Sequence, residues 1–330
     1  MDVLLNYFSS LPGAIAQGLI WGIMAIGVYI TYKVLDIADL TVDGSICTGA
    51  AICAAMMTMG HSLPVAMLCA LAAGLLAGLV TGLLHTFLGI PAILAGILTQ
   101  LILWSVNLKI MGFALGKASA ANLPLSARNH TVLVTLLNMG RTFIALGIFC
   151  VVIIGALYWF FGTEYGSALR ATGANLNMSR AQGINTDATK IVGLVLSNGI
   201  VALSGALLAQ YQGNADINMG RGAIVIGLAA VIIGEALFGW LSKNNFALKL
   251  LTVLFGGVIY FIVYSTVIYM GLDSNYLKMM SAIVVAIFLA IPYWKKKYFA
   301  PVKVNVKLSP KAAEPSAEEV KEEPKGGDGK

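Results

Sequence analysis

The chain has 330 residues, of which 58% are hydrophobic and only 11% are charged. A soluble domain carries about 25% charged residues, so this composition excludes a soluble globular protein and is typical of one that crosses a membrane several times. The net charge of +6 comes from basic residues that flank apolar segments and from the C-terminal end. Placed there, it reports on membrane topology and gives no sign of a nucleic-acid partner.

Nine apolar segments are candidate spanning helices, because a helix needs about 20 apolar residues to cross a bilayer. They cover residues 11–32, 45–59, 64–88, 92–111, 142–161, 191–211, 223–240, 246–270 and 277–293. The second is short, contains glycine and follows three acidic residues, so we expect a broken or re-entrant helix there. The predicted fold class is all-α, with about eight to ten transmembrane helices in one domain over residues 1–293. No short sequence repeat stands out.

Asp36, Asp39 and Asp43 cluster just before this short second segment. Acidic residues at a membrane edge are functional candidates, because a charge in hydrocarbon is costly. Two interpretations stay open. Either a carboxylate of this cluster lines a substrate path, or the cluster is a solvated loop in which Asp43 caps the helix that begins at Gly44 and Ser45.

Several polar side chains lie inside other apolar segments. Gln100 and Asn107 share one predicted span, and Asn198 and Gln210 share another. Amide groups in membrane helices usually bond each other or the backbone, and we expect a minority of them to face a pore. Glu235 lies near the end of its span, so it should face protein and serve either in a structural ion pair or in gating.

The longest polar interruption in the second half of the chain covers residues 164–190. A turn of a few residues would be enough to join two spans, yet this segment carries its own helix signals. Asn175 is a good N-cap and Gly183 a good C-terminal stop, which predicts a helix of about two turns over residues 176–182. So short a helix is unstable alone in water. It must therefore pack against the membrane, the protein's own spans or a partner.

Arg170 and Arg180 flank this predicted helix. Each either pairs with acidic groups of a partner or marks the membrane edge. The same loop, or Lys243, is the expected ion-pair partner of Glu235. Four predicted spans separate the loop from the C-terminal end, so both lie on one side, and the excess of lysine and arginine there predicts that this side is cytoplasmic.

Residues 294–330 hold nine basic and six acidic residues without an apolar period. We expect them to form a disordered cytoplasmic tail. The cysteines and histidines lack the spacing of metal ligands, so no metal or cofactor is predicted. The chain also lacks a phosphate-binding loop of the Gly-x-x-x-x-Gly-Lys-Ser/Thr type, so it is not expected to be an enzyme or to hydrolyse ATP itself.

Three segments carry a family resemblance. They read Ala-Leu-Arg-Ala-Thr-Gly-Ala-Asn at 168–175 followed by Arg-Ala-Gln-Gly-Ile-Asn at 180–185, Leu-Ala-Ala-Val-Ile-Ile-Gly-Glu-Ala-Leu-Phe-Gly at 228–239, and Leu-Asp-Ile-Ala-Asp-Leu-Thr-Val-Asp-Gly-Ser at 35–45. Together they resemble the permease subunits of ABC importers for branched-chain amino acids and ribose-type sugars, over roughly residues 10–292. The family often has proline where this chain has Leu176, and Gly-Gly-Thr where it has Gly-Glu-Ala at 234–236. A subgroup linked mainly to aromatic amino acids is more similar.

The resemblance implies that the 164–190 loop contains a coupling helix that docks onto an ATPase. The residues expected to serve this coupling are Arg170, Gly173, Asn175, Arg180, Gly183 and Ile184. The resemblance also places the acidic stretch near the translocation path. The expected path residues are Asp39, Asp43, Gly44 and Ser45.

The implied protein is a multi-pass permease of a bacterial inner membrane, embedded in the lipid bilayer. Its expected partners are a second permease copy, two ATP-binding cassette ATPase subunits and an extracellular substrate-binding protein. It would import a small polar metabolite, with an amino acid favoured, because a carboxylate beside exposed backbone amides could meet both ends of a zwitterion. The alternatives are an ion-coupled secondary transporter, and a sugar or nucleoside substrate within the same family.

Overall fold

A computed structural model describes residues 2–125, 132–135, 138–240 and 245–269, and six positions between 279 and 290. This part of the chain is built from α-helices with one short ribbon of two strands. The helices are α1 (Asp2–Tyr29), α2 (Val42–Thr58), α3 (Leu63–Thr86), α4 (Ala92–Ala114), α5 (Met139–Gly162), α6 (Glu164–Ala174), α7 (Leu176–Ala181), α8 (Thr186–Gln212), α9 (Ala223–Phe238) and α10 (Phe246–Tyr269). The strands are β1 (Asn122–Pro124) and β2 (Asn214–Asp216), which pair antiparallel.

Six of the described helices are long and apolar enough to cross a membrane: α1 with its π-helical extension Ile30–Val34, then α3, α4, α5, α8 and α10. Helices α2 and α9 are also apolar but have only 17 and 16 residues. The all-α, multi-pass prediction is confirmed. The second segment is short as predicted and forms one continuous helix, with no break within it. The expected full span at 223–240 is also a short helix. The predicted span at 277–293 and the tail at 294–330 lie essentially outside the described residues.

Helices α1 and α8 form the centre of the bundle and run antiparallel. The hydroxyl of Ser197 donates to the carbonyl of Gly27 at 2.8 Å, and that of Ser204 donates to the carbonyl of Ile20 at 2.7 Å. Residue numbers therefore rise in opposite directions along the two helices. These bonds satisfy hydroxyl groups that would otherwise be buried without a partner, which holds the two central helices together in an apolar interior.

The other long helices approach this centre through glycine. A Cβ atom at Gly74 or Gly78 of α3 would collide with the backbone of α8. Similarly, a Cβ atom at Gly18 of α1 would collide with α10, and one at Gly257 of α10 with α1. Small residues permit such backbone contact in lipid, where no hydrophobic force between helices assists packing.

The short helix α2 begins halfway along α8. Ser45, in its first turn, contacts Asn198 near the middle of α8, and Cys53 contacts Gln210 near the C-terminal end of α8. Helix α2 thus runs from the middle of the bundle towards the end that carries the β1–β2 ribbon. We call this the ribbon end.

Helix α9 begins at the same depth and runs the opposite way. Its Gly227 lies against Met24 and Val28 of α1, and its Glu235 pairs with Lys33 just beyond α1. It therefore runs towards the end of the bundle that carries α6 and α7, which we call the loop end. Two half-length helices that leave the middle in opposite directions are the arrangement expected of an inverted repeat.

A local motif marks the entry to both short helices. Asp39 follows Ala38 ahead of α2, and its carboxylate accepts a hydrogen bond from the backbone N–H two residues on, at 2.9 Å. Asp216 follows Ala215 ahead of α9 and makes the same bond at 2.7 Å. Each short helix is therefore preceded by an Ala-Asp turn, a match too short to stand out in the sequence.

Candidate functional site

Asp39 is the centre of a buried polar network that joins α2 to α8. Its side chain is 2% exposed. One carboxylate oxygen accepts from the N–H of Thr41 at 2.9 Å, and the other from the amide of Asn198 at 2.7 Å. The amide oxygen of Asn198 in turn accepts from the hydroxyl of Ser45 at 2.6 Å. A buried carboxylate needs such partners.

This network corrects the solvated-loop interpretation for Asp39, whereas Asp36 of the same acidic stretch is exposed. Asp39 and Ser45 are both buried, at 2% and 0% exposure, and both are bonded to one amide group. The sequence could not show this, because Asn198 lies 159 residues after Asp39. In the described structure the two side chains fix the start of α2 against the centre of the bundle.

A second set of hydroxyl groups ties the same region to α3 and α4. The hydroxyls of Thr41 and Thr81 lie 2.7 Å apart, and Thr81 donates to Thr99 at 3.0 Å. Gly96 of α4 lies against the backbone of the segment before α2. Four helices, α2, α3, α4 and α8, therefore meet where the path residues were expected.

Asp43 caps a helix, but not the one expected. Helix α2 begins at Val42, so Asp43 is already in its first turn. Its carboxylate reaches across to α9 instead, where the two oxygens accept from the N–H groups of Gly222 at 3.0 Å and Ile224 at 2.9 Å. The first N–H groups of a helix have no partner within it, and its N-terminus favours a negative charge. The carboxylate of Asp43 thereby joins the first turns of α2 and α9.

A cavity of about 320 Å³ opens beside this contact, between α2, α4 and the segment before α9. Two charged and two amide side chains contribute to its wall, together with an indole ring and Gly44, whose missing side chain lets α2 approach α4 closely. The lining residues are Asp43, Gly44, Cys47, Gln100, Leu101, Trp104, Asn107, Ile217 and Arg221.

Two polar groups of this cavity have no partner among the described residues. Asn107 is 1% exposed, and neither its amide nitrogen nor its amide oxygen is hydrogen-bonded. Arg221 is exposed, and its guanidinium forms no ion pair or hydrogen bond with any residue that the structure describes, Asp43 included. An exposed arginine needs no protein partner, but a buried unsatisfied amide such as that of Asn107 is rare in folded proteins and requires an explanation.

At the loop end, the predicted short helix is present as α7. Asn175 caps it, accepting from the N–H of Met178 at 3.0 Å. Gly183 follows it with a φ of 82°, and the N–H of Ile184 bonds the carbonyl of Ser179 at 3.1 Å. This is the hydrogen-bond pattern that ends a helix at a left-handed glycine. The helix ends at Ala181, one residue short of the predicted end.

Arg170 lies in α6 and Arg180 in the last turn of α7, and both bond to groups of this chain. Arg180 donates to the hydroxyl of Thr186 at 2.8 Å and pairs with Asp187 at 3.3 Å, which ties α7 to the start of α8. Arg170 donates to the carbonyl of Phe161 at 2.9 Å, at the end of α5. In this structure both arginines stabilise the loop through bonds to residues of the same chain.

Helix α6 connects this loop to the centre of the bundle. Gly173 lies directly against the backbone of Val34 and Leu35, at the end of α1, where a Cβ atom would collide. The side chain of Leu35 lies against Gly193 of α8. Helix α6 is therefore connected by direct contacts to the loop ends of both central helices.

Glu235 forms an ion pair with Lys33 at 2.9 Å, with both side chains partly exposed. This partner differs from the expected one in the Arg170–Arg180 loop, because α9 runs alongside α1 and their ends meet. Lys243 lies outside the described residues. A cavity of about 390 Å³ at this point is also lined by Arg170 and Lys249.

Comparison with known proteins now identifies the family. The family described as branched-chain amino acid transport system / permease component matches residues 11–291 of the chain. The chain belongs to this family. A tyrosine transport system permease protein of Clostridioides difficile is 40% identical over 304 residues, which cover 92% of this chain and 97% of that protein.

More distant permeases of the same kind also match. The autoinducer 2 import system permease protein LsrC of Salmonella typhimurium is 28% identical over 219 residues, 64% of this chain and 58% of that protein. Among solved structures, PsaBC from Streptococcus pneumoniae in complex with Fab aligns with a TM-score of 0.51 at 15% identity, covering 90% of this chain and 98% of that one. At that identity the likeness concerns the fold alone.

The chain is thus a multi-pass permease component of a bacterial ABC-type importer. In such importers the permease is the transport subunit, and ATP is hydrolysed by a partner. Two residues of the permease cavity, Trp104 and Arg221, were not expected from the sequence. Arg221 had a usable signal, since it stands between two glycines at the start of the apolar run of α9, where an unpaired charge is costly.

Proposed function

We propose that this permease imports amino acids at the expense of ATP hydrolysed by partner subunits, with an aromatic amino acid as the first candidate substrate. The observation that carries the coupling is α7, a capped helix held at the loop end and packed through α6 onto the central helices. The relative named for tyrosine transport, which spans almost the whole chain, supports the substrate class.

The exposed tip of α7 is the part of the chain that would dock onto the ATPase. Met178 is 59% exposed, whereas Arg170 and Arg180 are bonded to their own loop. An apolar, flexible side chain on a rigid short helix suits a hydrophobic groove on a partner. Gly173 would pass the motion of the docked helix to the backbone of Val34.

A second copy of the permease is the expected neighbour on the cavity side. Helix α4 exposes Leu101 and Trp104 beside the cavity that contains Asp43 and Arg221. Charged groups facing hydrocarbon would be costly, so this face requires a polar path and a partner that encloses it. Two permease copies around a common path satisfy both needs. An extracellular binding protein would deliver the substrate.

The proposed orientation in a bacterial inner membrane places the loop end in the cytoplasm. Lys33, Arg170 and Lys249 all lie around one cavity at that end, and basic residues at span ends favour the cytoplasmic side. The tail at 294–330 would lie on the same side, since it follows the last predicted span.

One observation favours the ion-coupled alternative. Asp39 is a carboxylate buried beside the middle of α8, a more deeply placed acid than Glu235. However, its bonds to Thr41 and Asn198 favour a structural role, because both partners hold the start of α2 in one geometry. The energy source decides between the two functions.

The permease should therefore be reconstituted in vesicles with its ATPase and binding protein. Uptake should be compared for L-tyrosine, ribose and a nucleoside, with ATP or with a proton or sodium gradient as the only energy source. We expect uptake of the amino acid with ATP alone. Gradient-driven uptake without the ATPase would contradict ATP coupling, and uptake of ribose or the nucleoside in place of amino acids would contradict the substrate class.

A further inference from the structure

The cavity between α2 and α4 contains opposite charges that do not neutralise each other. Asp43 and Arg221 both line it, yet they form no ion pair. The carboxylate of Asp43 accepts backbone N–H groups from the first turn of α9, and its two oxygens have about four acceptor sites, so at least one stays available to a further donor. Arg221 stands at the exposed edge of the cavity, and its guanidinium donates to none of the described residues. Two separated and opposite charges in one small cavity match a ligand that carries both charges itself.

Asn107 supplies an independent sign of a ligand. Its amide is buried in the cavity wall with both polar atoms unpaired. Such a group costs about 1–3 kcal/mol if it stays unsatisfied, and no structural bond in the described region repays this cost. A polar ligand that donates to its oxygen or accepts from its nitrogen would satisfy it.

The remaining wall is apolar and aromatic. Leu101 and Trp104 of α4 border the cavity on its open side, with Trp104 45% exposed. An indole ring offers a flat face to another aromatic ring and adds to the burial of apolar surface. The cavity volume of about 320 Å³ is at the small end of the range for small-molecule sites, about 300–1,000 Å³.

We propose that this cavity is a binding site for a zwitterionic α-amino acid with an aromatic side chain, occupied during transport. Arg221 binds the α-carboxylate, Asp43 receives the α-ammonium, Asn107 hydrogen-bonds one of these groups, and Trp104 contacts the ring. The inference rests on the proposed function as an amino acid permease and locates the substrate within it.

The test measures equilibrium binding to the permease in nanodiscs, without ATPase or binding protein, so that no other substrate site contributes. The probes are L-tyrosine and two analogues that each lack one of its charged groups. Tyramine lacks the carboxylate, and 3-(4-hydroxyphenyl)propionate lacks the ammonium. Arg221→Gln should weaken L-tyrosine binding by about tenfold or more and leave tyramine binding nearly unchanged. Asp43→Asn should likewise weaken L-tyrosine binding, but it should leave binding of the propionate nearly unchanged, because the propionate has no ammonium for Asp43 to receive. Arg141→Gln, at an exposed arginine of α5, is the control.

Asn107→Leu separates a ligand contact from a structural role. Leucine removes the unpaired amide, so the melting temperature should stay level or rise, while L-tyrosine affinity should fall severalfold. Trp104→Leu should weaken the affinity as well, and Trp159→Leu, at an exposed tryptophan of α5, should not. Unchanged L-tyrosine affinity in both Asn107→Leu and Arg221→Gln would overturn the site.

The complete importer distinguishes failure of the site from failure of the proposed function. If the wild-type importer takes up L-tyrosine and the permease alone binds none, or the cavity variants bind and transport like the wild type, the site is wrong and the function stands. If the wild-type importer takes up no amino acid, the proposed function itself is wrong. Binding by the wild type that Arg221→Gln weakens selectively, with matching loss of uptake, supports both.

Discussion

At the residue scale, the buried amide of Asn198 meets the needs of two other buried polar groups. It donates to Asp39 and accepts from Ser45, so one side chain satisfies an acid and a hydroxyl at the start of α2. A hydrogen bond to a charged group contributes more than a neutral one, and a buried partner left unpaired is costly. Asn198 therefore determines whether Asp39 can remain buried.

Asn198→Ala should destabilise the permease by about 2–3 kcal/mol, because it removes the donor to a buried carboxylate. Thermal unfolding in detergent, followed by tryptophan fluorescence, measures the effect. Asn177→Ala removes an exposed amide from α7 and serves as the control. Equal melting temperatures for Asn198→Ala and the wild type would show that the network contributes nothing to stability.

Unlike the buried network of Asn198, the ion pair of Lys33 and Glu235 is partly exposed to solvent. Such a pair contributes about 0–1 kcal/mol, so Glu235→Gln should barely change the melting temperature. A gating role predicts a separate effect, a rise in ATP hydrolysis without substrate, which the exchanged pair Lys33→Glu with Glu235→Lys should reverse. Unchanged hydrolysis in Glu235→Gln would leave the pair without a role in gating.

At the element scale, the sequence reveals helix ends that are set by nearby residues, but it does not reveal contacts between distant segments. The bounds of α7 follow from Asn175 and Gly183, which act on the backbone within a few residues, and the prediction missed its end by one residue. Asp43 acts on Gly222, 179 residues away, so its role as a cap for α9 could not be read from its neighbours. The cavity has the same property, because its walls come from three distant segments.

Gly183 provides a test of α7 as a coupling element. Its φ of 82° is unfavourable for a β-branched residue, while the space around it is open, so a substitution acts through the backbone at a cost of about 1–2 kcal/mol. Gly183→Val should keep membrane insertion but lower uptake per ATP hydrolysed, and Gly183→Asn should retain coupling because asparagine tolerates this conformation.

Gly155→Val is the matched control for the two Gly183 variants, since Gly155 also has open space around it but no positive φ. It should behave like the wild type. Normal coupling in Gly183→Val would mean that the geometry of α7 does not transmit motion from the ATPase.

At the scale of the whole molecule, the architecture is two short helices that leave the centre in opposite directions around α1 and α8. Composition was enough to predict an all-α membrane protein, and span lengths were enough to flag α2 as short. The apolar run that contains α9 continues to Trp240 and so predicts a full span, whereas the helix ends at Phe238 and starts from the middle of the bundle.

The orientation of this architecture is open to chemical labelling. With Cys69 replaced by alanine, the other three cysteines are buried and should not react. An impermeant maleimide added to intact cells should label Lys117→Cys, exposed near the ribbon end, and should not label Asn177→Cys, exposed on α7. The reverse pattern would place α7 outside the cell and exclude a cytoplasmic ATPase as its partner.

The central claim is that ATP hydrolysis by a partner, transmitted through α7, moves an amino acid through this permease. Uptake of labelled L-tyrosine into vesicles tests it most directly, with the complete importer reconstituted and either ATP or a non-hydrolysable analogue on the side of α7. The account predicts accumulation with ATP that requires the binding protein on the opposite side. Accumulation with the analogue, or equal accumulation without the ATPase subunits, would contradict it.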